Sequence, residues 1–313
     1  EPGEQQTVPM TYPRAHLIDP DNDATYHLYT RCVRRAWLCG VDPQSGNSYE
    51  HRKDWLEERI LKMAGAFSIS LFSYAIMSNH YHTVIRSHPK APLEWSDEEV
   101  AERWYQASYS NNEEKKLADK AALLDDTEQL GEIRRRLGDV SWFMRYINEP
   151  LARMSNKEDG CKGTFVESRF KSSALLDEPA LRRCMVYVDL NPVRVGITDS
   201  PTQGPHTSLK RRCENKSDCT PLAPLSALEW TLEAYIDLVQ WTADEKPMSS
   251  NVRQSQYITH PTLGVGCSRQ EWQDQVNANR HKYRAYGEPS VMREYVASIG
   301  QRWIKGSSSA PPS

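Results

Sequence analysis

Apolar positions along this chain switch between two periods. "TYHLYTRCVRRAWL" (25–38) is rich in β-branched and aromatic residues and predicts a first strand. "SYEHRKDWLEERILKMAGAF" (48–67) follows with Trp55, Ile60, Leu61 and Met63 at roughly helical spacing and Ser48 as candidate N-cap. "SISLFSYAIM" (68–77) and "HYHTVIR" (80–86) predict two strands around Ser78-Asn79, residue types that tolerate a tight turn. Residues 92–138 are acidic and short of β-branched residues, which predicts a helical insertion, read as a solvated helical pair, with a lid that regulates access to a site as the alternative. "GDVSWFMRYINEPLARMSN" (138–156) returns to an amphipathic helical pattern, and "GTFVESRFKSSALL" (163–176) predicts a fourth strand. The helix expected over "LDEPALRRCMVYVDLN" (176–191) has Asp177 as N-cap, Pro179 in its first turn, and an end at Asn191, because residues before proline avoid the α region.

The order β-α-β-β-α-β predicts an α+β fold, a ferredoxin-like antiparallel sheet with helices packed on it. That core spans residues 10–200, with the insertion at about 92–138. Residues 1–9 are set aside, since Met10 is a more natural beginning than Glu1. The polar stretch 198–225 reads as a linker. Residues 226–305 form a helical C-terminal region, carried by "LSALEWTLEAYIDLVQW" and "SVMREYVASIGQRWI", and 306–313 are expected to be a flexible tail.

Charge sharpens this division. The 313 residues carry a formal net charge of −3, but residues 94–132 hold twelve acidic side chains against four basic ones, so the remainder is net +5. Within that remainder "RCVRR", "SRFKS", "NPVR" and "LKRRC" concentrate cations, as phosphate contacts require. No apolar run reaches membrane-spanning length and no segment has the pattern of a signal peptide, which predicts a soluble chain without a membrane partner. Seven scattered cysteines suit a reducing cytoplasm, and Cys213 and Cys219 lack the spacing of a zinc ribbon.

Two pairs of residues carry candidate chemistry. Side chains alternate across a strand, so His80 and His82 share one face and Tyr81 takes the other. Alone, such a pair is more often a hydrogen-bonded strand face than a metal site; a third ligand must decide. Tyr187 and Asn191 are four residues apart and lie on one helix face. If that helix covers the histidine face, the Asn191 amide oxygen completes an N,N,O site with a phenol beside it. Such a set suits phosphoryl transfer. A phenol with pKa about 10 is only about 0.1% ionised at neutral pH, and a divalent cation that polarises a phosphate oxygen offsets that handicap. His82 is expected to be an exposed ligand that can be removed with the fold left intact.

"MSNHYHTVIR", "GTFVESRFKS" and "YVDLNPVRVGI" together resemble the IS200-like Y1 transposases of the HUH endonuclease superfamily, and most closely the REP-associated tyrosine transposases. The resemblance covers roughly residues 12–200, and "YIDLVQW" is similar to the extension of the longer members. It implies a metal-dependent single-strand DNA endonuclease and strand transferase that acts on hairpin-forming repeats through a 5′-phosphotyrosine. Tyr187, which opens the "YxxxNPxR" element, is then the nucleophile. His80, His82 and Asn191 are the ligands of Mg²⁺ or Mn²⁺. Single-stranded DNA with imperfect, REP-like hairpins is the implied partner, the protein a monomer or homodimer, and its place the bacterial cytoplasm, at the nucleoid. Arg34, Arg35, Arg169, Lys171, Arg194, Lys210, Arg211 and Arg212 are the expected DNA contacts. One departure is that Val166 and Glu167 stand where the family often has an aromatic and a glutamine. Two other readings remain: a domesticated, non-catalytic DNA-binding protein, and a replication initiator or relaxase, the latter usually marked by a three-histidine cluster.

Overall fold

The computed structural model describes residues 18–33, 39–41, 46–108, 112–167, 169–215, 220–244, 260, 268–281, 283–302 and 304. Its elements are β1 (Ala24–Arg31), α1 (His51–Ala66), β2 (Ile69–Ile76), β3 (His80–Ser87), α2 (Asp97–Ala107), α3 (Glu113–Leu124), α4 (Thr127–Leu137), α5 (Val140–Glu158) and β4 (Lys171–Leu175). They continue with α6 (Glu178–Asp189), α7 (Asn191–Arg194), α8 (Ser208–Glu214), α9 (Leu232–Ala243), α10 (Arg269–Ala278), β5 (Ala285–Tyr286) and α11 (Pro289–Ser298).

The fold is α+β. The sheet runs β2-β3-β1-β4-β5, and every pairing among the first four strands is antiparallel, the strand order of a ferredoxin-like core. A short fifth strand from the C-terminal region adds in parallel to β4; its two residues carry no alternation from which a strand could be predicted.

The pleat divides the sheet between two cores. On one face Tyr26, Leu28, Tyr81 and Ile85 are buried against α1 and α5 through Leu56, Ile60, Met63, Phe143 and Ile147. On the other, Ala75, Val84 and Leu175 meet Leu181, Cys184, Met185 and Val188 of α6, with Tyr235, Leu238 and Val239 of α9 behind them. Helices cover both faces, so every side-chain position of the central strands is either core or site.

Local signals explain where the helices begin. The side chains of Ser96, Asn112, Asp126, Asp139 and Asp177 accept backbone N–H bonds at the starts of α2 to α6. The acidic insertion therefore folds as three helices, and Leu130, Ile133 and Leu137 of α4 join the core. Four boundaries differ from expectation. The first strand ends at Arg31, Cys32 makes only an isolated bridge to Val166, and 34–38 lie outside the described residues, as do the tail 306–313 and Cys219. The fourth strand starts at Lys171, because 163–167 and 169–170 carry no ladder backbone beyond the isolated bridge at Val166, and Gly163 has φ +118°. Helix α1 starts at His51 after Glu50, and Ser48 instead bridges Val41. Helix α6 closes at Asp189, and Leu190 leads into the short α7, which Asn191 opens.

The stretch that reads as a linker packs on the free edge of β2. The Ile76 N–H donates to His206 O at 3.1 Å and the Ala223 N–H to Leu71 O at 2.7 Å, so the edge is partly paired and protected. Polar composition concealed this, because only a few of the polar side chains are buried, Ser208 bonded to Ser73 and Asp189 and Arg212 to main-chain carbonyls, while most of the rest are exposed or half-buried as a linker's would be. Nearby, the Tyr74 hydroxyl and the His206 ring both bond the Glu57 carboxylate, at 2.5 and 2.7 Å. Burial alone would raise the Glu57 pKa, but these bonds outweigh it and hold the group below its usual range. A depressed carboxylate contributes stability that is fully present above its unfolded pKa and is lost as pH falls through the folded value. Glu57→Gln should therefore lower unfolding free energy at pH 7 by about 1–3 kcal/mol. Denaturant titrations should show that difference shrinking as pH falls below about 4.5; a gap independent of pH would contradict the charge-based origin.

Candidate active site

Register builds the site. Because directly opposed residues share a face, Lys171, Tyr29, His82 and Ala75 form one row across β4, β1, β3 and β2. Ser173, His27, Val84 and Ser73 form the next, and Arg31 faces His80 at the open end. Tyr81 goes to the opposite face, where its hydroxyl donates to Asn148 Oδ1 at 2.8 Å, as the pleat requires. Helix α6 lies over the histidine face, held there by its apolar residues Leu181, Cys184, Met185 and Val188.

Five rings converge. The His80 and His82 centroids are 5.0 Å apart, and Tyr29 lies 5.3 Å from His80 and 4.9 Å from His82. Tyr187 meets His82 edge-on at 5.9 Å and His27 at 6.0 Å. His27 Nε2 is 2.8 Å from His82 Nδ1, and His80 Nδ1 is 2.6 Å from Asn79 Oδ1. Sequence reading missed His27 and Tyr29. The alternation His27, Tyr29, Arg31 in "YHLYTR" was the available signal, but only the cross-strand register tells which face of β1 meets His82.

Tyr187 is buried, with 7% of its surface exposed. Burial pushes its phenol above the usual tyrosine range, and the Arg194 guanidinium, 4.8 Å from the ring centroid, pulls the other way. Asn191 is also buried, and its amide nitrogen donates to Tyr187 O at 3.0 Å and Val188 O at 3.3 Å. That anchors the side chain on the end of α6 and leaves the amide oxygen as its remaining polar atom. His82 is 1% exposed, which corrects the expectation that it is an exposed ligand: neighbouring rings on β1 and α6 enclose it, whereas His80 is half-buried.

The donor set fits a divalent ion. Both imidazoles have Nδ1 engaged, which is the usual way a ligating histidine is fixed so that Nε2 faces the metal. Among the described residues no group of three or more histidine, cysteine or carboxylate side chains is placed to hold a metal ion.

The expected DNA contacts separate into groups. Arg194 lies beside Tyr187; Arg169 and Lys171 are exposed ahead of and at the start of β4, Lys171 in the row of Tyr29 and His82. Lys210 and Arg211 are half-buried on α8, near the outer edge of β2, where Lys210 lies 3.7 Å from Glu214. Arg212 is not a DNA contact: it is 3% exposed, and its guanidinium donates to Phe72 O at 3.0 Å and Ala223 O at 2.8 Å, clamping α8 to the sheet. Arg34 and Arg35 lie outside the described residues. Arg280, from the C-terminal region, was not foreseen; it is exposed and close enough to act on the Tyr187 phenol.

Among the described residues no helix is long and apolar enough to cross a membrane. No family model matches the chain, and no curated protein sequence does. Among solved structures, the chain is similar to a REP-associated tyrosine transposase bound to a REP hairpin, at 14% identity over 71% of this chain and 92% of that one, with a TM-score of 0.38, a likeness too slight to carry a functional conclusion.

Proposed function

We propose that this protein is a metal-dependent enzyme that nicks and rejoins single-stranded DNA, with Tyr187 as nucleophile. The observation that carries the reading is the convergence of a helix-borne tyrosine on the two imidazoles of the His80-Tyr81-His82 strand, the His82 and Tyr187 rings 5.9 Å apart. The motifs that supply those residues, on β3 and α6, are the ones that resemble the Y1 transposases, and the ferredoxin-like strand order agrees with that resemblance.

Each group then has a task. The Tyr187 oxygen attacks a backbone phosphorus, the bond from phosphorus to the 3′ oxygen breaks, and the phenolic proton leaves so that the departing strand ends in a 3′ hydroxyl. The 5′-phosphotyrosine keeps the energy of the broken ester, and attack by a 3′ hydroxyl reverses the step and joins strands. Arg194 favours the phenolate by its charge. His80, His82 and Asn191 would hold Mg²⁺ or Mn²⁺, which when bound polarises the phosphate and offsets its developing charge. Lys171 and Arg169 stand where they can meet the phosphates of a strand entering over the Tyr29 row. Because Tyr187 meets the histidine face of the sheet from α6, and a nucleophile there must align one backbone phosphate, an unpaired strand laid across that face is the fitting substrate, presented beside an imperfect hairpin.

The test is cleavage of matched hairpin, linear single-strand and duplex oligonucleotides with Mn²⁺ or Mg²⁺ and with chelator. Metal-dependent cleavage of the single-stranded flank is expected, reduced by about 100-fold or more in His80→Ala, whose half-exposed position spares the core. Full-rate cleavage in chelator, or equal cleavage of duplex, would defeat the reading. Tight hairpin binding without cleavage in any metal would favour a non-catalytic DNA-binding protein.

A further inference from the structure

We infer that His27 is a positioning residue for His82: its Nε2 accepts the Nδ1–H of His82 and holds that ring in the tautomer whose Nε2 is a metal donor. This rests on the reading of His80 and His82 as ligands. The contact is 2.8 Å, and the two rings stack with centroids 5.0 Å apart and planes inclined by 27°. Both imidazoles are buried, at 2% and 1% exposure, where a polar contact of that length is costly to lose.

Tautomer chemistry gives the contact a direction. A neutral imidazole carries one N–H, so either His82 donates from Nδ1 or His27 donates from Nε2. Only the first leaves the His82 Nε2 lone pair for a cation. His80 is arranged in the same way by a different partner. Its Nδ1 lies 2.6 Å from Asn79 Oδ1, an atom that can only accept, so His80 carries its proton on Nδ1 and keeps Nε2 as donor. Two adjacent candidate ligands are thus presented alike, one by a turn residue and one by a residue from the neighbouring strand. His27 does not act on the cation itself, since its Nε2 is taken up by the His82 Nδ1 contact. It works through His82, as residues behind a ligating histidine do, and replacing such partners commonly costs 10- to 100-fold in metal affinity, roughly.

The experiment labels the full-length protein with ¹⁵N-histidine and records long-range ¹H–¹⁵N correlations without metal at pH 8, then measures Mn²⁺ binding by calorimetry. His80 and His82 should both appear as Nδ1–H tautomers. In His27→Phe, His82 should lose that preference and the Mn²⁺ dissociation constant should rise by about 10- to 100-fold. His27→Gln, whose amide oxygen can accept the same proton, should recover most of the affinity. An Nε2–H tautomer on His82 in the unaltered protein overturns the inference, and that spectrum decides even if His27→Phe does not fold. So does unchanged Mn²⁺ affinity in folded His27→Phe. Unaltered protein that shows the Nδ1–H tautomer but binds no Mn²⁺ would instead sink the ligand reading on which the inference stands.

Discussion

Tyr187→Phe should bind hairpin DNA within about threefold of the unaltered protein and form no covalent complex, a loss below detection. The substitution removes one oxygen from a ring whose edge-on contacts with His82 and His27 remain, so packing of α6 is kept while the attacking atom is gone. Tyr29→Phe is the necessary companion. Tyr29 stands as close to the histidines as Tyr187, with its ring 4.9 Å from His82, and burial likewise pushes its phenol above the usual range. It is fixed on a central strand, whereas Tyr187 sits near the C-terminal end of a helix with Arg194 against its ring. Denaturing gels should therefore show the adduct in Tyr29→Phe and none in Tyr187→Phe; the reverse pattern would transfer the nucleophile to β1.

The largest effect on stability is expected at Asp189, two residues beyond Tyr187. Its carboxylate is fully buried, accepts from the Ser208 hydroxyl at 2.7 Å, the Leu209 N–H at 3.1 Å and the Tyr235 hydroxyl at 2.5 Å, and so ties α6 to α8 and α9. Burial raises its pKa and these three donors oppose the rise, with Arg212 adding its charge. Asp189→Ala would strand three buried donors at once, which should cost about 3–5 kcal/mol. For a chain of this size that is a fall in Tm of roughly 5–8 °C, measurable by calorimetry. Asp189→Asn keeps an oxygen acceptor and should lose less; equal stability of Asp189→Ala and the unaltered protein would show that the clasp does not hold α6.

That clasp also shows where the sequence could and could not be read. Local rules placed His80 and His82 on one face, sent Tyr81 to the other, and started α6 at Asp177, because a pleat and an N-cap depend on neighbours within four residues. They gave the ferredoxin-like order because strand and helix periods alternate in the right sequence. His27 was out of reach: its pairing to His82 spans 55 residues and follows from register rather than pattern. Arg212 and the segment around Ser208 read as solvated because a few buried polar side chains, bonded to distant partners such as Asp189 and the Phe72 carbonyl, leave the composition of the stretch that of a loop. The acidic insertion was legible as helix from its composition, but not as three capped helices with α4 in the core.

One measurement bears on the nucleophile without any substitution. The unaltered protein is incubated with Mn²⁺ and a single-stranded oligonucleotide carrying an imperfect hairpin, the covalent complex is digested, and the nucleotide-bearing peptide is sequenced by tandem mass spectrometry. The modified residue should be Tyr187, linked through its oxygen to a 5′ phosphate. A 5′ phosphate on Tyr29, a 3′ linkage, or cleavage that proceeds with no protein-bound nucleotide would contradict it.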